Sequence, residues 1–222
     1  MIGIEATIVD TPVRGEVRTR AGALITVAES GLIDSVLAAD DPQHCTVRDA
    51  LASRGQLFVF GEGQFLLPGL IDLHNHAPQW PQLGKALDVP LEVWLNRYTF
   101  PLEAKYADLA FAAAVYEPLV ESMIGNGTTT AVYFATTHLA ATEELVDVCL
   151  RQGQRAVVGK VAMDHADGCP DFYRDASAAV AVAETAQLIE YITAHSGNAN
   201  GLVQPAITPR FIPSCTDELL AG

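Results

Sequence analysis

Asp72, His74 and His76 stand within one short stretch, residues 65–80, which reads FLLPGLIDLHNHAPQW. An apolar run (Leu66, Leu67, then Leu70 and Ile71) leads through Pro68-Gly69 into these polar residues. Side chains on a strand alternate between faces, so residues two apart point the same way. His74 and His76 are therefore expected to project together from one side of a strand end, with Asn75 turned away. Two imidazoles on one rigid element make half of a zinc site. A bare H-x-H also occurs as a pair of loop histidines. The apolar strand and the Pro-Gly-Ile-Asp-like lead-in shift the reading to metal.

The elements around this stretch change character at Pro68. Before it, residues 2–9, 23–28 and 32–38 are apolar or alternating and are separated by Gly15, Gly22 and Gly31, a pattern of short strands. Residues 57–60 and 65–67 flank Gly61-Glu62-Gly63, which predicts a hairpin turn. Residues 41–53 read as a loop running into a short helix. This part has no chemical signature and is expected to be a small β module packed beside something larger. After Pro68, strands alternate with helices. Helices are predicted at 91–97, 107–126, 140–152 and 175–195, and strands at 128–135, 155–163 and 202–208. Such alternation implies parallel β/α units. Four units counted from the H-x-H strand make half of an eight-stranded TIM-like barrel. Residues 212–220 open like a further helix, with Ser214 as N-cap and Asp217 and Glu218 in the first turn.

A complete barrel takes roughly 250 residues by itself, more than the stretch after Pro68 supplies. Four parallel strands alone leave an unpaired edge and an uncovered core. The chain is therefore expected to be the N-terminal part of a longer protein. The alternative is a natural half-barrel that closes by dimerising.

Composition bounds the partners. The 222 residues are 50% hydrophobic, and the formal net charge is −14. So acidic a chain argues against nucleic acid or an anionic membrane surface, both of which need a basic face. The start, MIGIEATIVD, lacks the basic and apolar pattern of a signal peptide, and no apolar run approaches a membrane span. Cys45, Cys149, Cys169 and Cys215 form no C-x-x-C and are read as reduced thiols. A cytoplasmic location is expected.

Several segments, in this order, resemble the guanine deaminases of the amidohydrolase superfamily: PGLIDLHNHAPQW, LDVPLEVWLNRYTFPLEAKY, NGTTTAVYFAT, QRAVVGKVAMD and ITPRF. The resemblance spans roughly residues 65–215. Superfamily members join a metal-bearing barrel to a β-sandwich, so residues 1–67 are expected to be part of a small β-sandwich and 68–222 the first four β/α units. The resemblance implies one zinc ion with His74 and His76 as ligands, and a purine site with Gln79, Arg210 and Phe211. An arginine fork can donate to a purine carbonyl and an aromatic face can stack on the base. The implied reaction is hydrolytic deamination of guanine to xanthine and ammonia, with zinc activating the water, in a protein that is a homodimer when complete. The family's remaining ligands (two histidines and an aspartate) and its glutamate proton shuttle belong to later strands. The chain by itself is therefore expected to be inactive, and no catalytic acid or base is assigned within it.

Other candidates read as structural. His44, His138, His165 and His195 fall in loops, at strand ends or in a helix; His138, just past the second barrel strand, could face the barrel mouth. Lys160 is similar to a carbamylated lysine of two-metal relatives, but that residue belongs to the fourth strand. Asp164, Asp167 and Asp171 crowd a loop. The H-x-E and P-C-x-x-C motifs of the unrelated zinc nucleobase deaminases do not occur. Two other readings stay open: an amidohydrolase acting on a different aminopurine, pterin or triazine, and a non-catalytic half-barrel that assembles through its edge.

Overall fold

The alternation that begins at Ile2 runs further than short strands. β1 (Ile2–Val13) and β2 (Glu16–Val27) form one antiparallel hairpin. It turns at Gly15, whose φ of 85° suits a residue without a Cβ. The computed structural model describes residues 1–222 and divides them into two compact units, Met1–Pro68 and Gly69–Gly222. In the first, β3 (Ile33–Leu37) pairs antiparallel with β2. α1 (His44–Ser53) follows, then β4 (Leu57–Val59) and β5 (Phe65–Leu66). The hairpin predicted around Gly61-Glu62-Gly63 does not form. β4 and β5 both run parallel to β1, at Gly3–Glu5 and Thr7–Ile8, so the chain keeps its direction between them. The long β1 offers free backbone along one edge, and each short strand takes part of it. The turn between them closes locally, with the Gly61 N–H donating to Gln64 Oε1 at 2.7 Å.

In the second unit, β6 (Leu70–His76), β7 (Thr128–Phe134), β8 (Arg155–Gly159) and β10 (Val203–Pro205) make a four-stranded, wholly parallel sheet in the order β10-β8-β7-β6. β9 (Val161–Ala162) and β11 (Thr208–Pro209) form a separate parallel pair. The strands predicted over 155–163 and 202–208 are thus each broken once. The breaks lie side by side, where the Thr208 hydroxyl donates to the Lys160 carbonyl at 2.7 Å.

Helices α2 (Leu91–Trp94), α3 (Phe100–Glu103), α4 (Leu109–Gly125), α5 (Leu139–Gln152) and α6 (Ala178–Ala194) supply the connections. Between α2 and α3 the chain makes one wide π turn, Leu95–Thr99. α6 begins later than predicted because Asp175 is used elsewhere, and Ser177 caps it by accepting the Val180 N–H. α7 (Asp217–Ala221) is capped by Thr216, not Ser214. Ser214 is buried and its hydroxyl donates to the Phe211 carbonyl.

The main core joins α4, α5 and α6 to the sheet through Tyr116, Leu119, Tyr133, Leu145, Val158 and Leu188, among others. Burial on both faces is what parallel strands require. β6 is an edge strand, and its Leu70, Ile71 and Leu73 are exposed. No helix is long and apolar enough to cross a membrane.

Candidate functional site

β6 delivers the two histidines. Gly69 lets it start close to its neighbour: a Cβ there would lie 1.9 Å from Thr129 Oγ1 and 2.7 Å from Thr129 Cβ. The strand is not regular up to His76. Its register against β7 shifts between Asp72 and Asn75, so one extra residue sits on β6, as in a bulge. Asp72 stabilises the irregular stretch. Its carboxylate accepts the His74 N–H at 3.1 Å and the Asn75 side-chain amide at 2.9 Å. The two imidazoles end up adjacent, ring centroids 5.1 Å apart, with Phe134 at the end of β7 packed on both.

The two differ in environment. His74 is exposed, whereas His76 is largely buried and its Nδ1 has no hydrogen-bond partner. Burial, then the charge of Arg210, then His74 push the His76 pKa down to about 3. His76 is therefore neutral with a lone pair free, the state in which imidazole binds a metal. The pair could hold a metal only together with ligands from elsewhere, since no three His, Cys, Asp or Glu side chains of this chain cluster for it.

A second group stands beside the histidines. The turn after β6 (Ala77–Gln82) is pinned by the Tyr106 hydroxyl on the Pro78 carbonyl at 3.0 Å and by Gln82 on Thr99 at 2.8 Å. It presents Gln79, whose side-chain N–H donates to Glu103 Oε1 at 2.9 Å. Arg210, just past β11, reaches the same carboxylate from 107 residues away, Nη1 on Oε2 and Nη2 on Oε1 at 3.0 Å. The ion pair is almost fully enclosed, with the Arg210 side chain 3% exposed and that of Glu103 0%. Burial works to lower the Arg210 pKa, but the Glu103 carboxylate outweighs it and holds the guanidinium charged. The guanidinium carbon also lies 5.1 Å from the centre of the Phe100 ring. His74, His76, Gln79 and Arg210 thus come together at the C-terminal ends of the strands, where β/α barrels place their sites. Phe211 follows Arg210 directly in the chain and is 38% exposed.

Glu103 is the residue that the sequence alone does not point to, although it lies within the segment LDVPLEVWLNRYTFPLEAKY. Its signal was local: an acid among Phe100, Leu102 and Tyr106, placed where an apolar residue would be expected. Gln79 also lines an open groove of about 420 Å³ with His74, His76, Trp80 and Met123, within the size range of small-molecule sites.

Four of the remaining candidates, Lys160, Asp164, His44 and His195, have structural partners. Lys160, 0% exposed, pairs with Asp175 at 2.6 Å and Glu184 at 3.2 Å. Asp164 is no bystander in a solvated loop: it accepts both the backbone N–H and the hydroxyl of Thr216, each at 2.7 Å, and so latches α7. His44 bonds the Gly22 carbonyl, and His195 meets Asp147. The His138 ring lies 5.8 Å from that of Tyr173 and is tilted by 55° to it, and its Nε2 is buried without a partner.

The amidohydrolase family model matches residues 65–222. The chain belongs to that family. Among relatives of this amidohydrolase is the guanine deaminase of Dictyostelium discoideum, 39% identical over 98% of this chain and 49% of its own length. A probable guanine deaminase of Schizosaccharomyces pombe is 48% identical over 72% of this chain and 30% of its own. A guanine deaminase from C. acetobutylicum, solved with guanine in its active site, superposes with a TM-score of 0.85 at 32% identity, covering 99% of this chain and 48% of that one. The chain therefore spans about half the length of these relatives or less. Its four parallel strands are the first half of a TIM-like barrel.

Proposed function

We propose that this chain forms the N-terminal half of a zinc-dependent guanine deaminase, supplying two metal ligands and the purine-recognition face. One observation carries the reading: Gln79 and Arg210 converge on a single buried carboxylate beside His74 and His76. Together with relatives named for guanine deamination, this favours a planar purine over another cyclic amidine.

His74 and His76 would hold zinc as half of its ligand set. The fit rests on the unpartnered Nδ1 of His76, its neutral state and the closeness of the two rings. When bound, zinc activates water for attack on an amino-bearing carbon. This chain's own part is to place that carbon. Arg210 donates to a ring carbonyl, Gln79 binds a ring edge, and the pinned turn keeps Gln79 from drifting. Such fixed geometry accounts for a large share of rate enhancement in enzymes that orient a bound ring. No side chain here takes the acid–base role. A cytoplasmic homodimer with no nucleic-acid or membrane partner belongs to the same reading, and the net charge of −14 and four free cysteines accord with it.

The test is to sequence the locus past codon 222 for an in-frame downstream H-x-x-E, a second histidine and a late aspartate. The complete zinc-loaded protein is then assayed for loss of guanine and gain of xanthine by ultraviolet absorbance. Turnover by the complete protein, with none by residues 1–222 alone, is the expected result. A complete protein that binds zinc but leaves guanine untouched would refute the reading.

A further inference from the structure

The Glu103 side chain is fully enclosed and bonds both Gln79 and Arg210, so it constrains the two groups that would meet a ligand. An ionised carboxylate only accepts hydrogen bonds, and its partner Arg210 is always charged. Gln79 must therefore turn its NH2 toward Glu103 Oε1, as the 2.9 Å contact has it. The reverse amide would set oxygen against oxygen. The Gln79 carbonyl oxygen is left free as an acceptor. Both terminal nitrogens of Arg210 bind Glu103. A guanidinium has five N–H donors, so the Nε–H and one further proton on each terminal nitrogen remain.

We infer that Glu103 is a positioning residue that sets the polarity of the recognition pair, so that Gln79 offers an acceptor beside the donors of Arg210 and the site selects a lactam edge. This rests on the purine reading above and narrows it. A lactam presents N–H next to C=O, the complement of acceptor beside donor. A 6-aminopurine presents the reverse, a bare ring nitrogen next to NH2, and leaves both protein groups mismatched. Sites built to bond a particular donor reject analogues lacking it far more strongly than apolar pockets reject a change of shape.

The test compares hypoxanthine with adenine as ligands of the complete zinc-loaded protein by calorimetry. Neither carries the 2-amino group, so binding is read independently of turnover. The wild type is expected to prefer hypoxanthine by roughly 10²-fold. In E103Q the side chain at 103 can donate as well as accept, Gln79 is free to turn over, and the preference is expected to fall at least about tenfold with zinc content unchanged. E103D keeps an acceptor-only group and is expected to hold the preference within about threefold while binding both ligands more weakly. Equal loss of both ligands in E103Q, or an unchanged ratio, overturns the proposal by making Glu103 merely structural or irrelevant. If E103Q does not fold, E103D decides: retained preference supports the proposal and lost preference overturns it. A wild type that turns over guanine but shows no oxo-over-amino preference sinks the positioning role alone. One that shows the preference without turnover sinks the deaminase reading alone.

Discussion

Lys160 offers the sharpest test of what holds the half-barrel together. Its ammonium is 0% exposed and meets Asp175 Oδ1 at 2.6 Å, with Glu184 at 3.2 Å and one-third exposed. Asp175 also accepts the Met163 N–H at 2.8 Å, so its carboxylate joins the strand breaks to the start of α6. In Asp175→Ala, Lys160 keeps only the more solvated Glu184, and the Met163 N–H loses its partner. Removing one member of a buried pair costs about 3–5 kcal/mol, and an orphaned N–H is worth roughly 1–3 kcal/mol by itself. Because Glu184 still offsets part of the charge, we expect about 4 kcal/mol in total. Lys160→Met leaves two carboxylates facing each other and should cost about 3 kcal/mol. The double variant removes both charges, so its cost should fall at least about 2 kcal/mol short of the sum. The assay is urea unfolding followed by tryptophan fluorescence, since Trp80 and Trp94 both lie in the unit that holds the pair. Single variants that cost under about 1 kcal/mol, or a double variant that is simply additive, would refute the idea that this network carries stability.

Three further outcomes follow from the same geometry. Gly69→Ala should destabilise the barrel unit by about 2 kcal/mol, because the Thr129 Cβ itself lies 2.7 Å from the new methyl and side-chain rotation cannot clear it; an undiminished unfolding midpoint would count against the close approach. His76 has a folded-state pKa of about 3, below the unfolded value, so the unfolded chain binds the extra proton and stability is lost as pH falls from 6.5 toward 3. Between pH 6.5 and 5 metal-free protein should lose about 2 kcal/mol relative to His76→Asn, and parallel pH profiles for the two would show that burial does not hold this ring neutral. His74→Ala and His76→Ala should each lower zinc content of the complete protein, read by atomic absorption, at least about tenfold at limiting zinc; full zinc occupancy in both would remove these residues from the metal site.

The order of elements after Pro68 was legible because hydrophobic period and glycine punctuation are local signals. What was not legible was where strands break. β8 and β9 part at Lys160, and β10 and β11 part beside it, because a charged side chain had to be enclosed with Asp175 and Glu184. No window of sequence around 155–163 contains those partners. The same applies to α6, which lost its expected first turn to Asp175, and to α7, where Thr216 displaced Ser214 as cap because Asp164 reaches it from the loop after β9. The false hairpin at Gly61 had another cause: turn residues mark a bend, but only the free edge of β1 decided that both flanking strands would run the same way. The closeness of the His74 and His76 rings was legible from a spacing of two, although a bulge lies between Asp72 and Asn75 and Asp72 must hold it.

Glu103 also bears on the metal half of the site. Arg210 lies near enough to His76 to lower its affinity for a proton, and the same charge would oppose a divalent cation at that ring. A buried guanidinium without a counter-ion would therefore keep His76 neutral but also repel any cation that the proposed metal site would hold there. Glu103 cancels that repulsion at its source, since its carboxylate sits on both terminal nitrogens of Arg210. The recognition pair can then stand beside a cation site without a net charge of its own. It follows that Glu103→Gln should weaken zinc binding at His76 less than it weakens ligand selectivity, because burial, which does not depend on Glu103, is the larger cause of the neutral imidazole. Zinc titrations of the complete wild-type and E103Q proteins at pH 7 should differ by no more than about tenfold in affinity, and a larger loss would mean that the carboxylate serves the metal first and the ligand second.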